Sequence, residues 1–170
     1  GHVFSTAADT EVLVHLYEEV GERLVDPLCG MFAFALVDVP ARSLVLGRDR
    51  LGQKPLHYCI TREGTVAFAS ELWALLRFPG IQRQIDRQAL SDYFTLGYVP
   101  APRTIFAGVS KLPPAAVLTV AFAAETAPIR RYWQPRFEPK ERLPFKDAAV
   151  RTRELLEAAV RKRLESEVPL

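Results

Sequence analysis

Residues 31–70 carry four short apolar runs, MFAFALVD, SLVLGRD, PLHYCIT and TVAFAS, broken by turn-forming stretches such as VPAR and REG. The first is continuously apolar with little helical period, so it reads as a buried strand turning back into the second. The last two flank REG, a turn with glycine at its end, and predict a second hairpin. Four strand-length runs in hairpins commit this part of the chain to antiparallel sheet.

Helical patterns flank the hairpins. From Thr10, the positions Val12, Leu13, Leu16, Tyr17 and Val20 share one helical face, and Gly21 is a natural stop. SELWALLRF predicts a helix with Ser70 as N-cap and Pro79-Gly80 at its end, and IDRQALSDYFTLGY a second one capped by Asp86. GHVFST, at the start, alternates loosely enough for a short strand. VPAPRTIFAGVSKLPPAA is a proline-rich extended connection, followed by AVLTVAF and PIRRYWQ as a late hairpin. The polar, proline-rich PRFEPKERLP is the best linker candidate, and residues 145–165 form a long amphipathic helix whose apolar side includes Ala148, Leu155, Leu156, Ala159 and Leu164. Hairpins first and helices after them suggest an α+β sandwich in which antiparallel sheets bury their faces together.

Composition sets outer bounds. About half of the 170 residues are apolar and a quarter charged, as expected of a soluble chain with a substantial core. A net charge of +2 argues for neither nucleic acid nor an anionic membrane as partner, and no apolar run is long enough to span a bilayer. Cys29 and Cys59 show no metal or disulfide spacing and read as buried thiols, with a reduced cytoplasmic setting as the default. His2, His15 and His57 lack the spacing of a metal site and read as surface or rim residues. Phosphate cradles of the GxGxxG or GxxxxGK[ST] type are missing. The chain starts at Gly1 and turns apolar after its last helix, which reads as a segment of something longer.

The densest charges lie in GRDRLGQKPLHY. One reading of Arg48, Asp49, Arg50 and Lys54 is a structural loop. There Asp49 pairs with a neighbouring arginine and accepts backbone hydrogen bonds, Gly52 takes a positive φ and Pro55 fixes the exit. The other reading is a site for an anionic ligand. Composition leaves both open.

Six motifs in order, ADTEVLVHLYEEVG, GMFAFALVD, GRDRLGQKPLHY, FASELWALL, LGYVPAPRTIFAGVSKLPP and RRYW, resemble the glutamine-hydrolysing asparagine synthetases over almost the whole chain. The resemblance implies an N-terminal-nucleophile (Ntn-type) αββα glutaminase sandwich, of which residues 1–135 would be the C-terminal part. A linker at 136–144 would follow, and residues 145–170 would start an α/β ATP-pyrophosphatase-like synthetase domain. It implies a parent enzyme, a ligase, that converts ATP, aspartate and glutamine into asparagine, glutamate, AMP and pyrophosphate. Glutamine, aspartate and ATP would be its partners and Mg2+ its metal, with a homodimer allowed.

On that mapping the nucleophilic cysteine, the carboxylate-binding arginine and the Asn-Gly oxyanion donors precede Gly1, and the pyrophosphate loop follows Leu170. The segment itself is then expected to be inactive, with no catalytic residue, no metal and no bound ATP. Asp9, in the DTEV motif, is the one residue mapped onto a ligand: it would accept hydrogen bonds from the α-ammonium of glutamine. Read without the resemblance, Asp9 is a first-turn helix residue favoured by the helix dipole. The resemblance commonly has serine where this chain has Ala8, and such a serine would make a capping box with Glu11. Arg48, Asp49, Gly52, Lys54 and Pro55 form a family signature expected to be structural, holding two sheet edges and supporting the pocket and the domain interface. A β-lactam-synthetase-like relative with a degenerate glutaminase, and a non-catalytic assembly module, are the alternatives.

Overall fold

The computed structural model describes residues 1–6, 8–61, 63–122 and 127–164, which divide into two units, Gly1–Gln134 and Pro135–Leu170. In the first unit, helix α1 (Glu11–Val20) ends at Gly21, whose φ of 59° lies where glycine is favoured, and runs into a 3₁₀ turn, Gly21–Val25. Strands β1 (Ala33–Asp38) and β2 (Ser43–Arg48) form the expected hairpin, and β3 (His57–Ile60) and β4 (Val66–Ala69) the second. Helix α2 (Leu72–Leu75) and helix α3 (Arg87–Leu96) follow, then β5 (Ser110–Lys111), β6 (Ala116–Ala121) and β7 (Ile129–Arg131).

The fold is α+β, with two antiparallel sheets. One has the order β1-β2-β6-β7 and the other β4-β3-β5. The late hairpin is thus β6 with β7, and β6 returns to lie against β2 in the register Ser43↔Ala121 to Gly47↔Val117. A central strand with neighbours on both edges and layers on both faces has no polar side. Accordingly β2, SLVLGR, is buried from Ser43 through Gly47, whereas β1 exposes Ala35 and Val37. The sequence expectation that β1 is the buried strand is corrected here: β1 lies at the end of its sheet.

Three apolar clusters stack these elements in layers. Leu44 and Leu46 of β2 and Leu118 and Val120 of β6 meet Leu56, Leu112, Tyr58 and Val66, which joins the two sheets face to face. On the other side of the first sheet, Phe34, Val45 and Val117 take Leu24 and Val25 of the 3₁₀ turn and Leu13, Leu16 and Tyr17 of α1. Cys59 and Ala67 of the second sheet take Leu75 and Leu72 of α2, with Val109 and Phe106 beside them. Each fully buried leucine here contributes about 1.5–3 kcal/mol relative to exposure. Residue Gly47 belongs to this packing: it sits opposite Phe34 in the β1–β2 register, and a Cβ there would enter the Phe34 ring.

Several elements differ from the sequence expectation. Residues 1–5 form no strand, because the Glu11 carboxylate accepts from Ser5 N (2.6 Å), Ser5 Oγ (3.0 Å), Thr6 N (2.7 Å) and the Thr6 hydroxyl. The Thr6 hydroxyl first, with the Ser5 backbone N–H, holds the Glu11 carboxyl down to about 2. Helix α2 is a single turn whose N-cap is Glu71, without a side-chain cap, so Ser70 does not cap it. By contrast, the Asp86 carboxylate accepts from Gln88 N (2.8 Å) and Ala89 N (3.1 Å), and α3 ends at Gly97 with φ 79°. Strand β5 arises inside the proline-rich connection through two pairs, His57↔Lys111 and Tyr58↔Ser110.

The second unit contains helix α4 (Phe145–Arg161), preceded by Pro144. Leu155, Leu156 and Val160 on its apolar stripe are exposed, and an Arg151–Glu141 ion pair of 2.8 Å braces its start. The last residue of the expected helix, at 165, lies outside the described residues. Among the described residues no helix is long and apolar enough to cross a membrane.

Candidate functional site

A cavity of about 450 Å³ opens where the start of α1, the loop ahead of β1, the charged loop after β2 and the end of β4 meet. Its apolar lining includes Leu13, Leu28, Phe32 and Phe34, and its polar lining Asp9, Thr10, Cys29, Lys54 and Ser70. One carboxylate and one ammonium among apolar walls suit a small zwitterion with an uncharged tail.

Asp9 is placed just ahead of Thr10, the N-cap residue of α1, and not in the helix's first turn as expected from the sequence alone. It is exposed, and among the described residues its carboxylate has no hydrogen-bond or ion-pair partner. The capping box expected of a serine at position 8 has no counterpart in this geometry. Glu11, its acidic end, is engaged by Ser5 and Thr6.

The charged loop is built around two side chains that serve the backbone. Arg48 donates Nε to Lys54 O (2.7 Å), Nη1 to Leu112 O (2.6 Å) and Nη2 to Gly52 O (2.7 Å). Since Leu112 follows β5, one guanidinium ties the exit of the first sheet to the edge of the second. Asp49, 1% exposed, accepts from Leu51 N (3.1 Å) and Gln53 N (3.0 Å) on Oδ1 and from Lys54 N (2.9 Å) on Oδ2. Its own backbone joins the layers, donating to Phe32 O and accepting from Ala115 N at 2.9 Å each.

Burial pushes the Asp49 carboxyl up, but the N–H groups of Lys54, Gln53 and Leu51 together outweigh it and hold it below the ordinary carboxylate value. The expected pairing of Asp49 with a neighbouring arginine does not occur among the described residues. Backbone N–H donors already fill its acceptor sites, and Arg48 is occupied by carbonyls.

Gly52 has φ 66°, and a Cβ there would stand 2.8 Å from Pro114 Cγ and 3.1 Å from Arg48 Cζ. The loop therefore needs glycine for conformation and for space. Arg50 lies over the Trp133 ring at 5.9 Å. The Tyr132 hydroxyl donates to Arg48 O at 2.9 Å, and burial first, with Asp49 nearby, pushes it up to about 12. These engagements leave Lys54 and Pro55 as the residues of the signature that line the cavity.

Two lining residues were not legible as such. The sequence expectation of a buried Cys29 is corrected here: the residue is exposed in the loop ahead of β1. Pro27 and Gly30 on either side of it were the available signal for a loop. Ser70 lines the cavity beyond the end of β4, and its carbonyl lies 3.1 Å from His57 Nδ1. Cys59 is buried as expected, and burial raises its thiol.

A sheet pair layered with helices frames one small cavity of mixed charge, and comparison specifies the family. Residues 1–133 match the family described as glutamine amidotransferase domain, and the chain belongs to that family. Asparagine synthetase [glutamine-hydrolyzing] 3 of Bacillus subtilis is 42% identical over 172 residues, covering 100% of this chain and 27% of that protein. Asparagine synthetase [glutamine-hydrolyzing] 2 of the same organism is 33% identical, covering 98% of this chain and 24% of that protein. The rice asparagine synthetase [glutamine-hydrolyzing] 2 is 50% identical over 74 residues, 44% of this chain and 12% of that protein. The chain thus spans about a quarter of the length of the two Bacillus relatives.

Proposed function

We propose that this chain is part of a glutamine-dependent asparagine synthetase and contributes one wall of its glutamine pocket. The observation that carries the reading is the convergence of Asp9 with Lys54 and Pro55 on one 450 Å³ cavity. An unpartnered carboxylate there can accept charge-assisted hydrogen bonds from the α-ammonium of glutamine. The apolar walls of Leu13, Leu28 and Phe34 would take its methylenes and keep water away. The relatives above favour this parent over a β-lactam-synthetase-like one.

Under this reading the two facing sheets with α1 and α2 outside them correspond to part of an Ntn-type αββα sandwich. Residues up to 135 belong to the glutaminase, 136–144 link, and α4 begins a synthetase domain. Neither Cys29 nor Cys59 is the nucleophile, because such a thiol is activated by its own α-amino group, which an internal residue lacks. ATP and Mg2+ would act in the parent's other domain, where ATP supplies the activation of aspartate. The described residues do not fit ATP: α1, α3 and α4 begin beside Asp9 and Glu11, Asp86, and Asp147, carboxylates that repel phosphate at the helix ends that would otherwise attract it.

The test is Asp9→Asn in the full-length parent, with steady-state rates measured on glutamine and on ammonium. Loss of the charge-assisted bond should cost about 1.5–3 kcal/mol of glutamine recognition, roughly ten- to a hundredfold in kcat/KM. Ammonium-driven synthesis should be unchanged. Equal losses with both nitrogen sources would assign Asp9 to folding and remove it from the pocket.

A further inference from the structure

The outward side of α1 carries a cluster that the glutamine site does not use. His15 and Glu18 are three apart on the helix, and His2 reaches them from the segment ahead of it. The Nδ1 atoms of both histidines turn to the same carboxylate oxygen: His2 Nδ1 is 3.4 Å and His15 Nδ1 3.5 Å from Glu18 Oε2. One ligand atom from each of His2, His15 and Glu18 lies within 4.8 Å of the others. A tetrahedral zinc with bonds of about 2.0–2.1 Å sets its ligand atoms roughly 3.3–3.4 Å apart. Both nitrogen-to-oxygen separations are already near that value.

The opposite ring nitrogens give an independent indication. His2 Nε2 faces Glu19 Oε1 at 3.1 Å and His15 Nε2 faces Glu11 Oε1 at 3.5 Å. Glu11, opposite His15, is already engaged by Ser5 and Thr6, whereas His2 is held between the inner carboxylate shared by both rings and an outer carboxylate of its own. This is how metal-bound histidines are oriented: the outer carboxylate fixes the ring and raises the basicity of the nitrogen facing the ion. The rings are stacked at 4.4 Å, and Phe4 sits edge-on to His15 at 4.9 Å, which limits the access of water to one side. His15 Nε2 is buried without a hydrogen bond, its contact with Glu11 being too long for a good one. Among the described residues, Glu11, Glu18 and Glu19 have no lysine or arginine within 4.0 Å, and their only ionisable partners are the two histidines.

We infer that His2, His15 and Glu18 form a binding site for a divalent transition cation of the zinc type, with water completing its shell and Glu19 as the outer partner of His2. Two imidazoles and one carboxylate suit zinc and its neighbours better than magnesium or calcium, which prefer oxygen ligands. The ion would clamp the segment carrying His2 against the outer face of α1. The site stands independently of the glutamine reading.

The test is calorimetric titration of zinc into the untagged chain carrying Cys29→Ser, which removes the exposed thiol as a competing ligand. Cobalt in place of zinc gives a visible spectrum that reports coordination. Expected is saturable binding of one zinc per chain and a rise in thermal midpoint on loading. His2→Ala and His15→Ala should each abolish the cobalt spectrum, and Glu19→Gln should weaken zinc binding by about ten- to a hundredfold. Circular dichroism of the metal-free variants checks that α1 is intact, since all these side chains lie away from its buried face. Absence of saturable zinc binding would overturn the inference. So would zinc binding that survives both histidine substitutions, or equally tight magnesium binding, which a bare carboxylate cluster would give.

Discussion

Asp49 carries more of the loop's structure than any other side chain in it. Its carboxylate organises Leu51, Gln53 and Lys54 through their backbone N–H groups, and thereby holds Lys54 and Pro55 against the cavity. An amide in its place keeps one acceptor oxygen and turns an NH2 toward backbone donors. Asp49→Asn should therefore destabilise the chain by roughly 1–3 kcal/mol, read as a lower urea midpoint at neutral pH. The same carboxylate makes stability depend on pH. Its folded pKa lies below its unfolded value, so its contribution is complete above the unfolded value of about 3.9. It is lost as pH falls through the folded value. Wild type should lose stability across that acid window, and Asp49→Asn should give a flatter profile there. Parallel profiles would mean that the proton is taken up elsewhere.

At the scale of elements, α3 shows what a cap contributes. Asp86 satisfies two of the first N–H groups of a ten-residue helix with few buried positions. Asp86→Ala should cost about 0.5–2 kcal/mol, measurable as a lower thermal midpoint, while Asp86→Asn should recover most of it. This helix and the three hairpins were legible in the sequence because their signals are local: a capping side chain, a glycine at the turn, apolar runs of strand length. What was not legible depends on distant partners. Strand β5 has two paired residues and exists only because β3 lies beside it. The expected strand in residues 1–6 is replaced by the grip of Glu11, and α2 keeps one turn of its apolar pattern. Asp9 and Lys54 are far apart in sequence, and only the resemblance pointed to Asp9. Their meeting at one cavity follows from the packing of α1 on the first sheet, whereas His2 meets His15 because Glu11 holds the leading segment on the outer side of α1.

At the scale of the molecule, the three apolar clusters lie within Gly1–Gln134, and that unit carries the cavity. Among the described residues, the cavity lining holds a thiol, Cys29, but no histidine to serve as its base. Burial holds the other thiol, Cys59, in its protonated form. The 170-residue chain by itself should release no ammonia from glutamine. Ammonia release above a heat-treated control, abolished by Cys29→Ala, would show an unexpected nucleophile.

The central claim, that Asp9 reads the α-ammonium of glutamine, is tested most directly by removing each partner in turn. The measurement is binding of glutamine and of its deaminated analogue glutaramate to the full-length parent, wild type and Asp9→Asn. The account predicts that wild type prefers glutamine by about ten- to a hundredfold, and that Asp9→Asn loses most of this preference because only the pair together supplies the bond. An undiminished preference for glutamine in Asp9→Asn would contradict it.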